Sequence, residues 1–216
     1  MADCVDYACL VTVLRTAAEK IKAQRAELSQ LDAATGDGDH GTAMAKVAEA
    51  IATTLAHDAS REMKTLLKDI GWAVLSTDAG STSPLYGSFF LGMSEGVAGA
   101  TLDAPAFVAM LAAGVAKLRK NTKAEVGHKT MIDALVPALA ALQAAADAGQ
   151  SLAQALAAGA TAAVQGAEAT QALQAAFGRA RNIGARSIGH KDPGAVSMSL
   201  LLVGIKEGYV HGGCSR

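Results

Sequence analysis

Aromatic side chains are scarce in this sequence: phenylalanine, tyrosine and tryptophan together make up 4% of its 216 residues. Apolar residues as a whole reach 51%, and much of that share is alanine, which favours closely packed helices over a β-sandwich. Charged residues reach only 18%, so the composition is not that of a disordered chain. Lysine and arginine form no runs and the formal net charge is -1, which argues against a protein that binds nucleic acid through its phosphates.

Cysteine is also sparse. Cys4, Cys9 and Cys214 are odd in number and lack the paired spacing of a zinc site, so we predict inert, reduced thiols in a cytosolic protein. The sequence has no apolar stretch long enough to span a bilayer, and no charged leader followed by an apolar segment. We therefore expect a cytoplasmic protein with no nucleic-acid or membrane partner.

Helical periodicity predicts one all-α domain over residues 1–216. Tyr7, Leu10, Leu14, Ala18 and Ile21 recur in steps of three and four, as residues on one face of a helix do. Eight helices are predicted, beginning near residues 7, 41, 60, 83, 103, 130, 151 and 192, and the first, third, seventh and eighth end near 28, 75, 177 and 208. The predicted N-caps are Ser60, Ser83, Asp103, Thr130 with Asp133, Ser151 with Gln154, and Asp192.

The connecting loops alternate in character. Polar, glycine-bearing loops precede every second predicted helix, at residues 29–40, 77–83, 121–128 and 178–192. In an up-and-down antiparallel bundle, alternate loops fall at the same end. Helix N-termini carry partial positive charge and free N–H groups, so an end with four such loops suits phosphate groups. The sequence therefore predicts a phosphate-binding end.

The first of these loops lies in "LDAATGDGDHGTAMAKV" (31–47) and carries Asp32, Asp37 and Asp39. Three carboxylates offer oxygen ligands only, which hard cations such as Mg²⁺ and Ca²⁺ prefer. The spacing is not that of an EF-hand, because the twelfth position from Asp37 is Ala48 rather than glutamate. The alternative is a solvated acidic turn that caps the next helix. For His40, a phosphate contact and an ordinary loop histidine are both open interpretations.

The other polar loops have weaker signals. Ser81, Thr82 and Ser83 follow Gly80 and could cradle a phosphate, although serine-rich caps are common. "GHKT" (127–130) fails the P-loop pattern, so Lys129 is predicted to be a surface lysine. The last loop contains a basic set that could face a nucleotide's phosphates or simply be solvated. That set is Arg179, Arg181, Arg186, His190 and Lys191.

Four ordered motifs resemble those of the nucleotide-binding L subunit of dihydroxyacetone kinase, over nearly the full length. They are "GDGDHG" (36–41), "GSTSPLYG" (80–87), "GHKTMIDALVP" (127–137) and "GRARNIGARSIGHKDPGA" (178–195). The resemblance implies a closed barrel of eight antiparallel helices, with a nucleotide and two magnesium ions at one end. The sequence departs from the family pattern at Ala43, Ser83 and His128.

By this resemblance, Asp32, Asp37 and Asp39 match the metal ligands, and Arg179 and His40 match positions beside the phosphates. The nucleotide-contacting positions it implies are His40, Gly41, Thr42, Ala43, Ser81, Thr82, Gly127, Thr130, Met131, Arg179, Asp192, Pro193 and Gly194. The implied chemistry is phosphoryl transfer, in which the protein supplies positioning and charge neutralisation.

The resemblance also implies partners. A separate K-type subunit would hold the keto-sugar, and a histidine phosphocarrier of the phosphotransferase system would recharge ADP kept as a bound coenzyme. The alternatives are an ATP-dependent two-subunit kinase for a related ketose such as erythrulose, and a nucleotide-sensing regulatory co-activator.

Overall fold

The computed structural model describes residues 3–214, and within them helix is the only extended regular structure, apart from one isolated bridge between Val5 and Leu102. The α-helices in that range are α1 Tyr7–Ala23, α2 Arg25–Ala33, α3 His40–His57, α4 Met63–Leu75, α5 Thr82–Gly96, α6 Ala104–Leu118, α7 Ile132–Asp147, α8 Leu152–Ala169 and α9 Pro193–His211. Short 3₁₀ segments cover Arg119–Asn121, Thr170–Ala172 and Arg179–Ser187. The predicted all-α class is confirmed.

The described residues form nine α-helices rather than eight, because the first predicted helix breaks at Gln24. Gln24 has φ -96° and ψ 14°, and its N–H donates to the Ile21 carbonyl to close α1. The chain then resumes as α2 and stays helical to Ala33. Asp32 therefore lies in the last turn of a helix, and not in a loop as predicted.

Three predicted N-caps are present. The Asp103 carboxylate accepts a hydrogen bond from the Ala106 N–H (2.9 Å) at the start of α6. Ser151 and Gln154 form a reciprocal capping box at the start of α8. The Asp192 carboxylate accepts from the Ala195 N–H (2.7 Å) at the start of α9.

Two other predicted caps are wrong. The Ser60 hydroxyl donates to Asp58 (2.8 Å) within a turn, and α4 begins three residues later at Met63. Ser83 lies inside α5, where its hydroxyl donates to the Thr77 carbonyl (2.8 Å) and closes the preceding loop. In addition, α8 ends at Ala169 and not near Phe177, because a 3₁₀ turn begins at Thr170.

Consecutive helices pack side by side, and α9 packs along α1. The close approach of α1 and α9 depends on Gly204, where a Cβ would lie 2.4 Å from the Ala17 Cα. Counting α1 and α2 as one helix broken at Gln24, the helix directions alternate along the chain, so α9 runs antiparallel to α1. The N-terminus of α1 and the C-terminus of α9 therefore lie at the end of the bundle away from the four polar loops, and Asp3 joins them there through the Tyr209 hydroxyl (2.7 Å).

The same packing corrects the prediction for cysteine. Cys9, in the first turn of α1, and Cys214, after α9, form a disulfide across a Cα–Cα distance of 5.3 Å, while Cys4 is free. Sequence spacing could not indicate this pair, because 205 residues separate its members and only the return of α9 to α1 brings them together. None of the described helices is long and apolar enough to cross a membrane.

Candidate functional site

Three carboxylates meet where α2 ends and α3 begins. Asp32 lies in the last turn of α2, and Asp37 and Asp39 lie in the loop that follows. One oxygen from each lies within 4.8 Å of the others. Asp32 also accepts a hydrogen bond from the His40 backbone N–H (3.1 Å), which fixes it against the first turn of α3. The set fits a hard divalent cation, because all of its donors are oxygen and all of them converge.

Arg179 compensates the charge of these carboxylates. Its guanidinium forms ion pairs with Asp37 and with Asp39, the latter at 3.1 Å. Half or more of each of these three side chains is exposed, so the pairs are accessible to ions and ligands from solvent. The contact joins the loop after α2 to the loop before α9, as expected if the polar loops share one end.

His40 is the first residue of α3, and its ring turns inward. Its Nε2 lies 2.9 Å from the Ser197 hydroxyl on α9, and the Tyr86 hydroxyl on α5 lies 2.9 Å from the same oxygen. Burial lowers the pKa of His40, a shift partly offset by the charge of Asp32 and the Pro193 carbonyl. The imidazole is therefore neutral at pH 7. Through the shared Ser197 hydroxyl, the His40 ring and the Tyr86 hydroxyl link the N-terminal parts of α3, α5 and α9.

The next three predicted positions lie in the first turn of α3. Gly41 is buried, and a Cβ there would lie 2.1 Å from the Arg25 carbonyl oxygen, so this glycine lets α3 pack against α2. Thr42 is exposed and its hydroxyl accepts a hydrogen bond from Arg25 (3.3 Å), whereas Ala43 is buried. Helix geometry leaves the Gly41 and Thr42 amides at the open end of α3, as a phosphate contact would need.

The loop between α4 and α5 holds the second predicted pair. Ser81 is exposed, while Thr82 is buried at the start of α5 and its N–H donates to the Ala79 carbonyl (3.1 Å). Lys46 on α3 donates to the Asp78 carbonyl (2.5 Å), which holds this loop against α3.

The remaining predicted positions form two facing segments. Asp133 accepts from the Gly127 N–H (2.5 Å) and the Thr130 N–H (2.7 Å), which shapes the loop before α7. Met131 is buried beside the start of α9, where a Cβ on Gly194 would lie 3.6 Å from the Met131 nitrogen. Asp192 caps α9 and is followed by the buried Pro193. Burial raises the pKa of Asp192 to about 7.

Lys129 is not the surface residue predicted from sequence. Its side chain is buried, and its ammonium donates hydrogen bonds to the Thr170 carbonyl (2.6 Å) and to the His190 carbonyl. Nearby, the His128 ring stacks on Phe177 with 5.2 Å between ring centroids. Both contacts join the loop before α7 to the long loop before α9.

Within the basic loop, Arg179 is the side chain that contacts the acidic cluster. Arg181 and Arg186 are exposed, and Lys191 forms an ion pair with Glu168. Sequence reasoning paired Asp133 with Thr130 but missed its bond to the Gly127 N–H, and it missed Tyr86, Ser197 and the buried role of Lys129. Tyr86 and Lys129 are within quoted motifs, but their contacts depend on distant segments that no local pattern indicates.

The four polar loops thus lie at one end. Contacts between their own residues link the first to the fourth and the third to the fourth, while Lys46 holds the second against α3. A cavity of about 710 Å³ lies at the opposite end of the bundle. Its lining includes Asp6, Glu62, Arg61 and Lys64, acids as well as bases, and none of the predicted site residues.

Comparison with known proteins gives a consistent result. Residues 34–207 match the DAK2 domain. The chain is 36% identical over 183 residues to the ADP-binding subunit DhaL of a PEP-dependent dihydroxyacetone kinase from Listeria innocua, covering 85% of this chain and 87% of the relative. It is 33% identical over 176 residues to the corresponding subunit from Escherichia coli K12, covering 81% and 84%.

Longer proteins also match. The L-erythrulose 1-kinase of Mycolicibacterium smegmatis is 34% identical over 206 residues, which cover 92% of this chain and 35% of the relative. The crystal structure of the dihydroxyacetone kinase from C. freundii in complex with AMP-PNP and Mg²⁺ superposes with a TM-score of 0.74 at 28% identity, covering 93% of this chain and 34% of that one. Domain match, sequence identity and shared fold agree with the resemblance of the four motifs, and the chain belongs to the DAK2 domain family.

Proposed function

We propose that this chain is the nucleotide-binding subunit of a dihydroxyacetone kinase, acting as a single domain. It transfers a phosphoryl group from a magnesium-bound adenine nucleotide to a keto-sugar held on a separate K-type subunit. The observation that carries the proposal is the convergence of three carboxylates with Arg179 at the end where four helix-initiating loops meet. The names of the relatives, ADP-binding subunits of kinases, support the same assignment.

The residues that would hold the metal are Asp32, Asp37 and Asp39. Their converging oxygens suit Mg²⁺, which binds one or two carboxylates per ion together with phosphate oxygens and water. Three carboxylates and a polyphosphate can serve two ions, as the family resemblance implies. When bound, magnesium neutralises charge on the phosphates and stabilises the charge that develops during transfer.

Arg179 has a second role once the carboxylates bind a cation. In the described structure it balances Asp37 and Asp39, both of which are acceptors a cation would use. With these carboxylates engaged by a cation, the Arg179 guanidinium would be free to bind the phosphates of the nucleotide. Arginine suits this exchange because it donates in the same planar geometry to carboxylate and to phosphate.

His40 acts as a positioned neutral group. Its ring is held by Ser197, and its backbone N–H binds Asp32, so one residue connects the metal ligands to α9. We assign the amides of the first turn of α3, with Ser81 and Thr82, to the phosphates of ADP or ATP. Gly127, Thr130 and Met131 form one wall of the nucleotide pocket, and Asp192, Pro193 and Gly194 form the other.

The first experiment asks whether the chain retains a nucleotide. The purified protein is denatured, and the released small molecules are identified by mass spectrometry, with and without prior chelation of magnesium. Stoichiometric ADP supports the coenzyme form recharged by a histidine phosphocarrier, whereas an empty protein that binds ATP reversibly supports the ATP-dependent form. A protein that binds neither nucleotide in the presence of Mg²⁺ contradicts the proposal.

A variant tests the metal assignment directly. Asp37→Ala removes one of the three carboxylates and should abolish retention of the nucleotide, because the metal that anchors the phosphates loses a ligand. Asp69→Ala is the control, since Asp69 is an exposed acid in the middle of α4 and is outside the carboxylate cluster. Undiminished binding by the Asp37 variant would contradict the metal assignment.

The keto-sugar is the open part of the assignment. Dihydroxyacetone is favoured, because relatives that this chain covers over most of their length are dihydroxyacetone kinase subunits. Erythrulose is the alternative, supported by the identity to an L-erythrulose 1-kinase. Measuring the phosphorylation of each ketose by the reconstituted two-subunit enzyme distinguishes the two sugars. A separate pull-down tests the regulatory alternative, which is favoured if the chain captures a DNA-binding regulator instead of a sugar-binding subunit.

A further inference from the structure

Lys129 has an unusual environment for a lysine. Its side chain is 1% exposed, in the loop just before α7. Its backbone φ is +59°, in the left-handed region that residues with a side chain rarely adopt. A buried ammonium and an unfavourable backbone conformation both cost free energy, so the surrounding contacts must hold this residue in place.

Those contacts come from two other segments of the chain. The ammonium donates to the Thr170 carbonyl, in the turn after α8, at 2.6 Å. It also donates to the His190 carbonyl, two residues before the cap of α9. Burial lowers the pKa of the Lys129 ammonium, and the nearby carboxyl groups of Asp192 and Asp133 offset part of that shift. Lys129 therefore links three segments that are far apart in sequence.

The linked segments carry the two proposed walls of the nucleotide pocket. Gly127, Thr130 and Met131 flank Lys129 in the first wall. The second wall begins at Asp192, whose N–H donates to the Thr170 hydroxyl (2.9 Å), so Thr170 is bonded to both walls. Without the ammonium, the carbonyls of Thr170 and His190 would lose a donor, and fewer hydrogen bonds would join the first wall to the second.

We propose that Lys129 is a positioning residue for the nucleotide pocket, whose ammonium fixes the separation of the loop before α7 from the start of α9. This inference rests on the proposed function. The lysine does not contact the nucleotide's phosphates, because its buried ammonium is directed at two backbone carbonyls. Its effect is on pocket geometry and hence on nucleotide affinity.

Two variants separate the ammonium from the backbone. Lys129→Met keeps most of the side-chain length and removes the donor, while Lys129→Gly also relieves the positive φ. The matched control is Lys191→Met, which removes a nearby lysine whose partner is the largely exposed Glu168. Affinity for ADP with Mg²⁺ is measured by calorimetry, and amide hydrogen exchange is measured in the nucleotide-free proteins.

We expect the dissociation constant of ADP to rise about tenfold or more in both Lys129 variants, since two buried carbonyls lose their donor, and to stay within about twofold in Lys191→Met. Exchange should accelerate at residues 127–131 and 189–195, with no change at the far end around residues 97–103. A lysine needed only for stability would lower the melting temperature and leave the affinity of the folded protein unchanged, which would overturn the proposal. So would affinity recovered by Lys129→Gly.

Two further outcomes are distinguishable. If the parent protein binds no nucleotide with Mg²⁺, the proposed function fails, and the positioning role fails with it. If the parent binds and the Lys129 variants bind equally well, only the positioning role fails. Should Met and Gly variants both unfold, Lys129→Gln retains one donor, and it should show an intermediate loss of affinity with the same local rise in exchange. Parent-like affinity in that variant overturns the inference.

Discussion

At the residue scale, Arg179 and the proposed metal ion would compete for the same carboxylates. Without a cation, the guanidinium balances Asp37 and Asp39. If these carboxylates bind a cation as proposed, the guanidinium would be displaced and would become available to phosphate. In the proposed function, one arginine would thus oppose metal binding and assist phosphoryl transfer.

This competition predicts opposite effects for one variant. Arg179→Met should tighten Mg²⁺ binding to the nucleotide-free protein, because the competing cation is gone. It should lower phosphoryl transfer by the reconstituted kinase by about 1000-fold or more, the scale on which arginines act in such reactions. Calorimetric titration with Mg²⁺ and steady-state kinetics check the two halves. Arg181→Met, two residues away and exposed, serves as the control, and equal effects of both variants would contradict the assigned role.

Asp192 gives a second prediction at this scale. Burial raises its pKa from 3.8 to about 7, so the folded protein holds a proton on this group at pH values where the unfolded chain has lost it. Its contribution to stability is thus largest at low pH and declines as the pH rises from about 4 to about 7. Asp192→Asn should remove this dependence and keep the cap of α9, since asparagine also caps helices.

The measurement is the melting temperature of both proteins between pH 4.5 and 7.5 without divalent cations. The Asn variant should gain stability relative to the parent as the pH rises. A difference that stays constant across this range would show that Asp192 does not titrate as its burial indicates.

At the scale of elements, the helix starts differ in how far local sequence determines them. The capping box of α8 needs only residues three apart, and both of its hydrogen bonds form. Ser151→Ala should therefore lower the free energy of unfolding by about 1 kcal/mol. Ser60→Ala, at a predicted cap that forms only a turn, should change it by less than about 0.5 kcal/mol. Denaturant unfolding checks the pair, and a larger loss at Ser60 would contradict the assignment.

The same contrast shows how much the sequence could predict. Asp103, Ser151 and Asp192 cap their helices through bonds to neighbours in sequence, so a local pattern suffices. The shared end of the polar loops could also be predicted, because helix directions alternate in an up-and-down bundle. Lys129 could not be placed, since its partners are 41 and 61 residues away and the burial of its ammonium depends on them.

The acidic cluster could be predicted from sequence only in part. Its three aspartates are close in sequence, and the prediction that they form one group agrees with their positions. The pattern did not indicate that α2 extends to Asp32, nor that the cluster is balanced by Arg179 from a loop 140 residues away. Local composition identified the ligand candidates, and tertiary contacts supplied their geometry.

At the scale of the whole molecule, the disulfide between Cys9 and Cys214 connects the first helix to the segment after the last. Such a bond restricts the unfolded chain, and its loss typically costs about 2–5 kcal/mol in stability. Cys214→Ser should lower the free energy of unfolding by an amount in that range under oxidising conditions. With excess dithiothreitol, parent and variant should be equally stable.

Cys4→Ser is the matched control, because Cys4 is free. Denaturant unfolding with and without reductant gives the stabilities, and mapping of unreduced peptides identifies the bonded pair. A parent protein with three free thiols after exposure to oxidised glutathione, or a disulfide that includes Cys4, would contradict the pairing.

Asp3 lies beside Tyr209, on the side of the bundle away from the carboxylates. This position affects how the domain can be joined to other domains. A fused polypeptide could extend from residue 3 or from residue 214 without crossing the end of the bundle that carries the proposed nucleotide site. The fold is thus suited to tandem architectures, in keeping with relatives in which the matched stretch is only about a third of the protein. An affinity tag or a donor fluorophore at either end would likewise not obstruct the proposed nucleotide site.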